Sequence, residues 1–193
     1  MKNFFKKISF GLVFFLITVF AFSENDSKVF YEFGIGSGFV FYGKDETKDL
    51  IKKLDDGNQF LINANLTFLI PLQDFVYFSF GGDSTFDFHW KNGDSIYLID
   101  YSAFFGFRIY PNLAGLCLSV DYDFGRRTDF IEVKDSLSEN QSTPCGNGFR
   151  AGISYDFSRH TNGIAPVVGA NLKHMPRGNS SDNILSVFLN LHI

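Results

Sequence analysis

The sequence predicts a closed transmembrane β-barrel of eight antiparallel strands, an all-β up-and-down meander, and three observations carry that reading. From Val29 to Ile193 apolar and polar residues alternate through eight successive stretches separated by turn-forming segments. The clearest stretch, Val76 to Trp90, outruns an ordinary soluble strand of about 5 or 6 residues and exceeds the about 9 to 11 tilted residues that cross a bilayer. The apolar face carries many of the chain's 26 phenylalanines, whereas a barrel of about eight strands has an interior only just wide enough for side chains. The phenylalanine face must therefore point outward, where lipid is its natural solvent.

The strands justify themselves in order. The first apolar set is Val29, Tyr31, Phe33, Ile35, Phe39 and Phe41, opposed by Glu32, Gly34, Gly36 and Gly38. Phe60, Ile62, Ala64, Leu66 and Phe68 follow, opposed by Asn63, Asn65 and Thr67. Val76, Phe78, Phe80, Phe86, Phe88 and Trp90 make the third, opposed by Ser79, Asp83, Thr85, Asp87 and His89. In the fourth, Tyr97 to Ile109, the odd positions are apolar, with Asp100, Ser102 and Arg108 on the other side. The fifth runs from Leu116 to Phe124 around Ser119, Asp121 and Asp123, and the sixth from Phe149 to Phe157 around Arg150, Ser154 and Asp156. The seventh spans Ile164 to Leu172 with Asn171 and Lys173 opposed, and the eighth ends the chain from Leu185 to Ile193 around Ser186 and Asn190. Lipid cannot satisfy an open sheet edge, so Val29 to Tyr42 is expected to pair with Ile184 to Ile193. Pro166, which lacks a ladder donor, fits only near the end of its strand.

Ahead of the barrel, residues 1–23 read as a cleaved signal peptide. Lys2, Lys6 and Lys7 form the basic start, Gly11 to Phe22 the apolar run, and Ala21-Phe22-Ser23 the cleavage site. Residues 24–193 are then the barrel domain, with no length left for a second one. The net charge is −4, and removal of three lysines makes the remainder more acidic, which gives no support to nucleic-acid binding. Short links at Pro71 to Asp74, Pro111 to Ala114 and Ser158 to Gly163 alternate with longer ones at Gly43 to Gln59, Gly125 to Asn147 and Pro176 to Asn183, and with one tight link, Lys91 to Ser95. Outer-membrane barrels keep short turns periplasmic and longer loops outside. The first long loop is expected to hold a helical turn or two, with Asp45 as cap, Leu50, Ile51 and Leu54 on one face and Gly57 at its end. It is expected to be solvated, the other reading being a partner-binding loop.

Candidate chemistry concentrates in the lumen. Glu32, Asp83, Asp87, Asp100, Arg108, Asp121, Asp123, Arg150, Asp156 and Lys173 all fall on the inward face. Charges in so narrow an interior must pair or be hydrated, so they are expected to form a structural network that plugs the barrel, with a selective conduit as the other reading. Arg108→Met is expected to destabilise by orphaning acidic partners, whereas Ser79→Asn is expected to be nearly silent. His89 and Asp87 share a face, but no third ligand is near in sequence, so no metal or cofactor is assigned. Cys117 and Cys145 are placed at opposite ends of the wall and are expected to be free thiols. Arg126-Arg127 and the polar run to Asn147 form a candidate outer surface for a ligand.

Strand number, loop order and the final strand, Ile184 to Ile193, resemble the small outer-membrane barrel families, the OmpX-like, OmpW-like and OmpA-barrel group. The resemblance implies outer-membrane lipid as surroundings and the barrel-assembly machinery as a partner through the C-terminal strand, although such families end on an aromatic residue and this chain ends on Ile193. The phenylalanine-heavy composition and the Ala-Phe-Ser signal end look like spirochaetal, treponemal membrane proteins. Outer-membrane phospholipases and lipid A deacylases carry His-x-Ser-Asn; Arg159-His160-Thr161-Asn162-Gly163 looks similar but has Asn162 at the serine position. The expectation is a non-enzymatic outer-membrane barrel with a structural or surface-interaction role, porin-like in form. An adhesin acting through its outer loops is the other reading.

Overall fold

Residues 29–111, 114–133, 139–161 and 163–193 are described by the computed structural model; the expected signal peptide lies outside them. The strands are β1 (Phe30–Phe41), β2 (Asn58–Gln73), β3 (Val76–Lys91), β4 (Asp94–Ile109), β5 (Leu116–Glu132), β6 (Glu139–Ser142), β7 (Gly146–Asp156), β8 (Ala165–Pro176) and β9 (Ser181–His192), with one helix, α1 (Asp45–Lys52), between β1 and β2. The sheet order β4-β3-β2-β1-β9-β8-β7-β5, with β4 returning to β5, closes eight strands into a barrel, and β6 hangs on β5 alone. Every pairing is antiparallel. The expected closure is present: β1 and β9 pair from Glu32 with His192 to Phe41 with Asn183. The backbones of Tyr31 and Ile193 exchange two further bonds, of 3.0 and 2.8 Å.

Side-chain direction follows the alternation. Phe33, Ile35, Phe39, Val120 and Val187 are half or more exposed on the outer wall, and inward neighbours such as Glu32, Asp121 and Ser186 are buried. The inner face is not purely polar. Leu61, Leu69, Phe104, Val167 and Ile184 are buried there, at inward parity but isolated among polar residues, so the sequence pattern gives them no weight.

Two links differ from expectation. Residues 125–132 continue β5 as strand: Arg126, Phe130 and Glu132 face out while Arg127, Asp129 and Ile131 are buried. The upper part of β5 then changes partner, pairing with β7 up to Gly125 and with β6 over Thr128–Ile131. The helix exists, but Lys44 occupies its N-cap, and Asp45 sits in the first turn bonded to Lys48 at 2.8 Å. That contact with Lys48 holds the Asp45 carboxyl below its usual range. The helix ends at Lys52 rather than at Gly57. Nor is the segment simply solvated. β2 to β5 run 16 or 17 residues against 12 for β1 and β9, so one side of the wall stands taller. Leu54 and Tyr42 pack against Ile96, Leu98 and Ile131 inside that tall wall, with Leu50 and Ile51 beside them.

Turn chemistry fits the remaining connections. Asn92 and Gly93 join β3 to β4 with φ of 52° and 92°, the two positive values that a two-residue type I′ hairpin requires. Pro166 pairs with Leu191 near the β7–β8 end of its strand, as expected. Three inward glycines, Gly34, Gly36 and Gly38, line β1 against β9, and a Cβ at Gly38 would overlap the Leu185 carbonyl. Gly38→Ala is therefore expected to lower barrel stability by about 1–3 kcal/mol in denaturant unfolding. Gly82→Ala, whose Cβ would first meet the Ser102 carbonyl oxygen at 3.4 Å, is expected to be tolerated.

Candidate functional site

The lumen is the chemically richest region, and its charges form a ladder along the barrel axis. Near the short-turn end, Asp121 of β5 accepts from Ser79 at 3.0 Å, from Arg108 at 3.0 Å and from Arg150 Nε at 3.1 Å. Arg150 lies over the Phe104 ring, 4.0 Å from its centroid, and reaches Asp83 at 3.4 Å. Lys173 then bridges Asp83 and Asp100, donating to each at 2.7 Å and to Ser102 at 3.0 Å. Ser102 is also 2.8 Å from Asp83 and 3.2 Å from Asp123. The second oxygen of Asp100 holds Arg177, which also donates to the Gly125 carbonyl at 2.8 Å.

The ladder continues into residues outside the expected inward set. Arg177 approaches Asp182 at 3.7 Å, and Asp182 takes Arg127 at 2.6 Å. Arg127 grips Asp129 through two bonds of 2.7 and 2.9 Å and donates to Thr47 of α1 at 3.0 Å. Its guanidinium also lies 4.8 Å from the centre of the Tyr42 ring. Tyr42 in turn donates to Asp87 at 2.7 Å, and Gln59 and His89 each stand 3.0 Å from the other oxygen of that carboxylate. Thr47 of α1, Arg127 and Asp129 of β5 and Asp182 of β9 thus fasten the helix into the mouth of the barrel. Arg127, Asp129 and Asp182 are inward by the same two-residue period as Asp121 and Asp123, and extending the alternation past Gly125 would have found the first two.

The ten expected residues are all inside, but they do not form one unit. Asp83, Asp100, Arg108, Asp121, Arg150 and Lys173 belong to the lower ladder, and Asp123 touches it only through Ser102. Asp87 joins Tyr42 and Gln59 beneath α1, while Glu32 and Asp156 lie apart with His192. Two expectations change. Ser79 is fully buried and bonded to Asp121, so an Asn there would displace a ladder contact rather than pass unnoticed. Arg108 shares its carboxylate with Arg150 and Ser79, so its loss would not orphan Asp121.

Side chains crowd both ends of the lumen. At the short-turn end Arg159, on the 3-10 turn Phe157–Arg159, stacks over Tyr110 and Tyr77 at 3.8 and 4.7 Å. Inside, one cavity of about 50 Å³ is bounded by Glu32, Asn65, Arg108, Cys117 and Phe188 among others. That holds a few waters and no larger solute. His160, the residue suggesting a hydrolase, spends Nε2 on the Tyr155 hydroxyl at 2.8 Å and on the Ala114 carbonyl at 3.3 Å. Asn162 lies outside the described residues. Cys117 is buried and Cys145 exposed, both as free thiols.

Lys173 is the one cation among the described residues that contacts both Asp83 and Asp100, so its removal leaves each buried carboxylate with a single cationic partner, Arg150 at 3.4 Å and Arg177 respectively, and leaves the ladder one positive charge short. Lys173→Met is expected to cost about 3–5 kcal/mol in urea unfolding, and more than Arg108→Met. Adding Asp83→Asn to Lys173→Met is expected to recover part of the loss.

No protein-family model matches the chain, and no curated protein matches it. Among solved structures it is similar to Ail, the attachment invasion locus protein of Yersinia pestis, solved alone and in complex with the heparin analogue sucrose octasulfate. The TM-score is 0.55 at 12% identity, covering 88% of this chain and 100% of that one. Neisserial surface protein A matches with a TM-score of 0.48 at 12% identity over 86% of this chain and 98% of its own. The N-terminal β-barrel domain of Pseudomonas aeruginosa OprF gives 0.47 at 12% over 87% and 100%. None of these matches supports the treponemal resemblance. The likeness to Ail is one of fold: a small barrel of eight antiparallel strands.

Proposed function

We propose that the chain is a small integral outer-membrane protein whose barrel is plugged, acting as a structural wall element that carries loops at the cell surface. The observation that carries this reading is a lumen filled from end to end inside an apolar exterior. Large side chains such as Phe39 at 67% exposure and Phe33 at 50% face outward, and water would not tolerate so continuous an apolar surface. The plugged reading is supported by α1 packed in the mouth, the charge ladder below it and the Arg159 turn at the other end, which succeed one another along the axis among the described residues. The reading is of a non-enzymatic barrel, supported by Asn162 standing where the outer-membrane hydrolases carry their serine.

A surface-binding role is the second reading, and the β5–β6 arm favours it. That arm rises past the β5–β7 pairing and exposes Arg126, Phe130, Glu132, Asn140 and Gln141 at the long-loop end. Ail, an attachment protein by name, has the same fold and was solved with a heparin analogue, which makes sulfated glycans a reasonable first probe. Binding of cells displaying the barrel to immobilised heparin, with and without the β5–β6 arm, decides between the two readings.

The plugged reading is tested in planar bilayers, where conductance is expected to stay near the leak level; a stable channel of nanosiemens would reject it. Lipid exposure is tested by Phe80→Arg, expected to cost about 2–4 kcal/mol in folding into vesicles because the charge would meet the hydrocarbon. Ser119→Asn, directed at the internal cavity, is expected to cost little in the same assay. Recovery of the native protein in the soluble periplasmic fraction would defeat the proposal outright.

A further inference from the structure

Three donor groups from three strands meet at the short-turn end of the lumen, apart from the charge ladder. Glu32 of β1, Asp156 at the end of β7 and His192 at the end of β9 are all buried, and one ligand atom from each lies within 4.8 Å of the others. Among the described residues no other trio of His, Cys, Asp and Glu comes together in this way.

Charge sets the trio apart from the ladder, a trait it shares with the buried Asp87 and Asp123, which also contact no lysine or arginine among the described residues. Asp83, Asp100, Asp121, Asp129 and Asp182 each contact an arginine or a lysine. Glu32 and Asp156 have only His192 within ion-pair distance among the described residues. Even a protonated imidazole leaves one buried negative charge uncompensated, and such a charge is costly without a partner.

Spacing points the same way. The ladder contacts of Lys173 and Arg127 close to 2.6–2.9 Å, as charge-assisted bonds do. His192 Nδ1 stands 3.4 Å from Glu32 Oε1 and 3.8 Å from Asp156 Oδ2, too far for good hydrogen bonds. Bonds of about 2.0–2.1 Å at the tetrahedral angle put donor atoms about 3.3–3.4 Å apart, which is what a zinc ion would demand. The carboxylates are also held by other donors, on the far oxygen of Glu32 and on both oxygens of Asp156. Asn190 donates to the second oxygen of Glu32 at 3.3 Å, and Asp156 accepts from the Tyr110 hydroxyl at 2.8 Å and from the Ser158 amide at 2.9 Å. Such outer partners hold metal ligands in place. His192 also lines a groove open at the short-turn end, with Phe30, Tyr77 and Ile193, which supplies an entry path. Arg159 lines that groove too but is turned onto ring faces.

We propose that Glu32, Asp156 and His192 bind one divalent transition-metal ion, zinc by preference, at the short-turn end of the barrel. One imidazole and two carboxylates suit zinc among the divalent ions that such mixed donors take, with water completing the shell. The ion neutralises the surplus charge and ties β1 and β9, the two strands whose pairing closes the wall, to β7.

The test uses the folded, untagged protein in detergent, stripped with chelator and equilibrated with zinc by dialysis. One equivalent should be retained by the parent and by His160→Gln, an exposed histidine at the same end. Glu32→Gln and His192→Gln should each weaken binding beyond the about 10- to 100-fold that loss of an outer partner costs, with gel mobility still reporting a closed barrel. Parent protein that retains less than half an equivalent overturns the proposal, as does full retention in both variants. Should either variant fail to fold, X-ray absorption on the zinc-loaded parent decides. A shell with one imidazole and oxygen donors sustains the site, and a shell with no imidazole, or with two, overturns it.

Discussion

A wall whose outer surface is apolar has no solvent to which its backbone amides and carbonyls can turn, so the first strand must find the last. The ladder from Glu32–His192 to Phe41–Asn183 meets that demand. Once eight strands have closed, the interior width is set, and every charge on the inward face must be matched within that width. The ladder from Asp121 to Asp129 is the consequence, with cations and carboxylates alternating because nothing else could neutralise them there. The tight approach of β9 to Gly34, Gly36 and Gly38 belongs to the same constraint.

Most of the wall was legible in the sequence because a period of two leaves one signal at every residue. The parity of Val76 to Trp90, the closure, the tight Asn92-Gly93 link and the inward set of charges all follow from it. The signal fades at Gly125, where a glycine followed by two arginines looks like the start of a loop although inward and outward positions keep alternating to Glu132. A period says nothing about what a loop does once it can fold back. The docking of Leu54 and Tyr42 on Ile96 and Leu98 depends on β4 standing taller than β1, and strand height is a difference between elements rather than a property of either one.

The site was legible residue by residue but not in its grouping. That Glu32, Asp156 and Lys173 point inward follows from parity alone. That Lys173 joins Asp83 and Asp100, while Glu32 and Asp156 stand with His192, depends on shear, meaning how far each strand is shifted along its neighbour. His192 sits one residue from the end of the chain, and only pairing with β1 brings it to a glutamate 160 residues away.

The lid has a bearing on how the molecule is made. α1 follows β1 closely, yet the surface that receives it belongs to β4 and β5, and its tether Arg127 is held by Asp182 of β9, the last strand of the chain. Contacts of such long sequence separation form late, because the loop-closure entropy comes first. The emerging barrel is therefore open at its long-loop end while β1 waits for β9, and the interior stays wet through assembly. A partly zipped barrel on this account holds far more water than the few molecules for which the finished lumen has room.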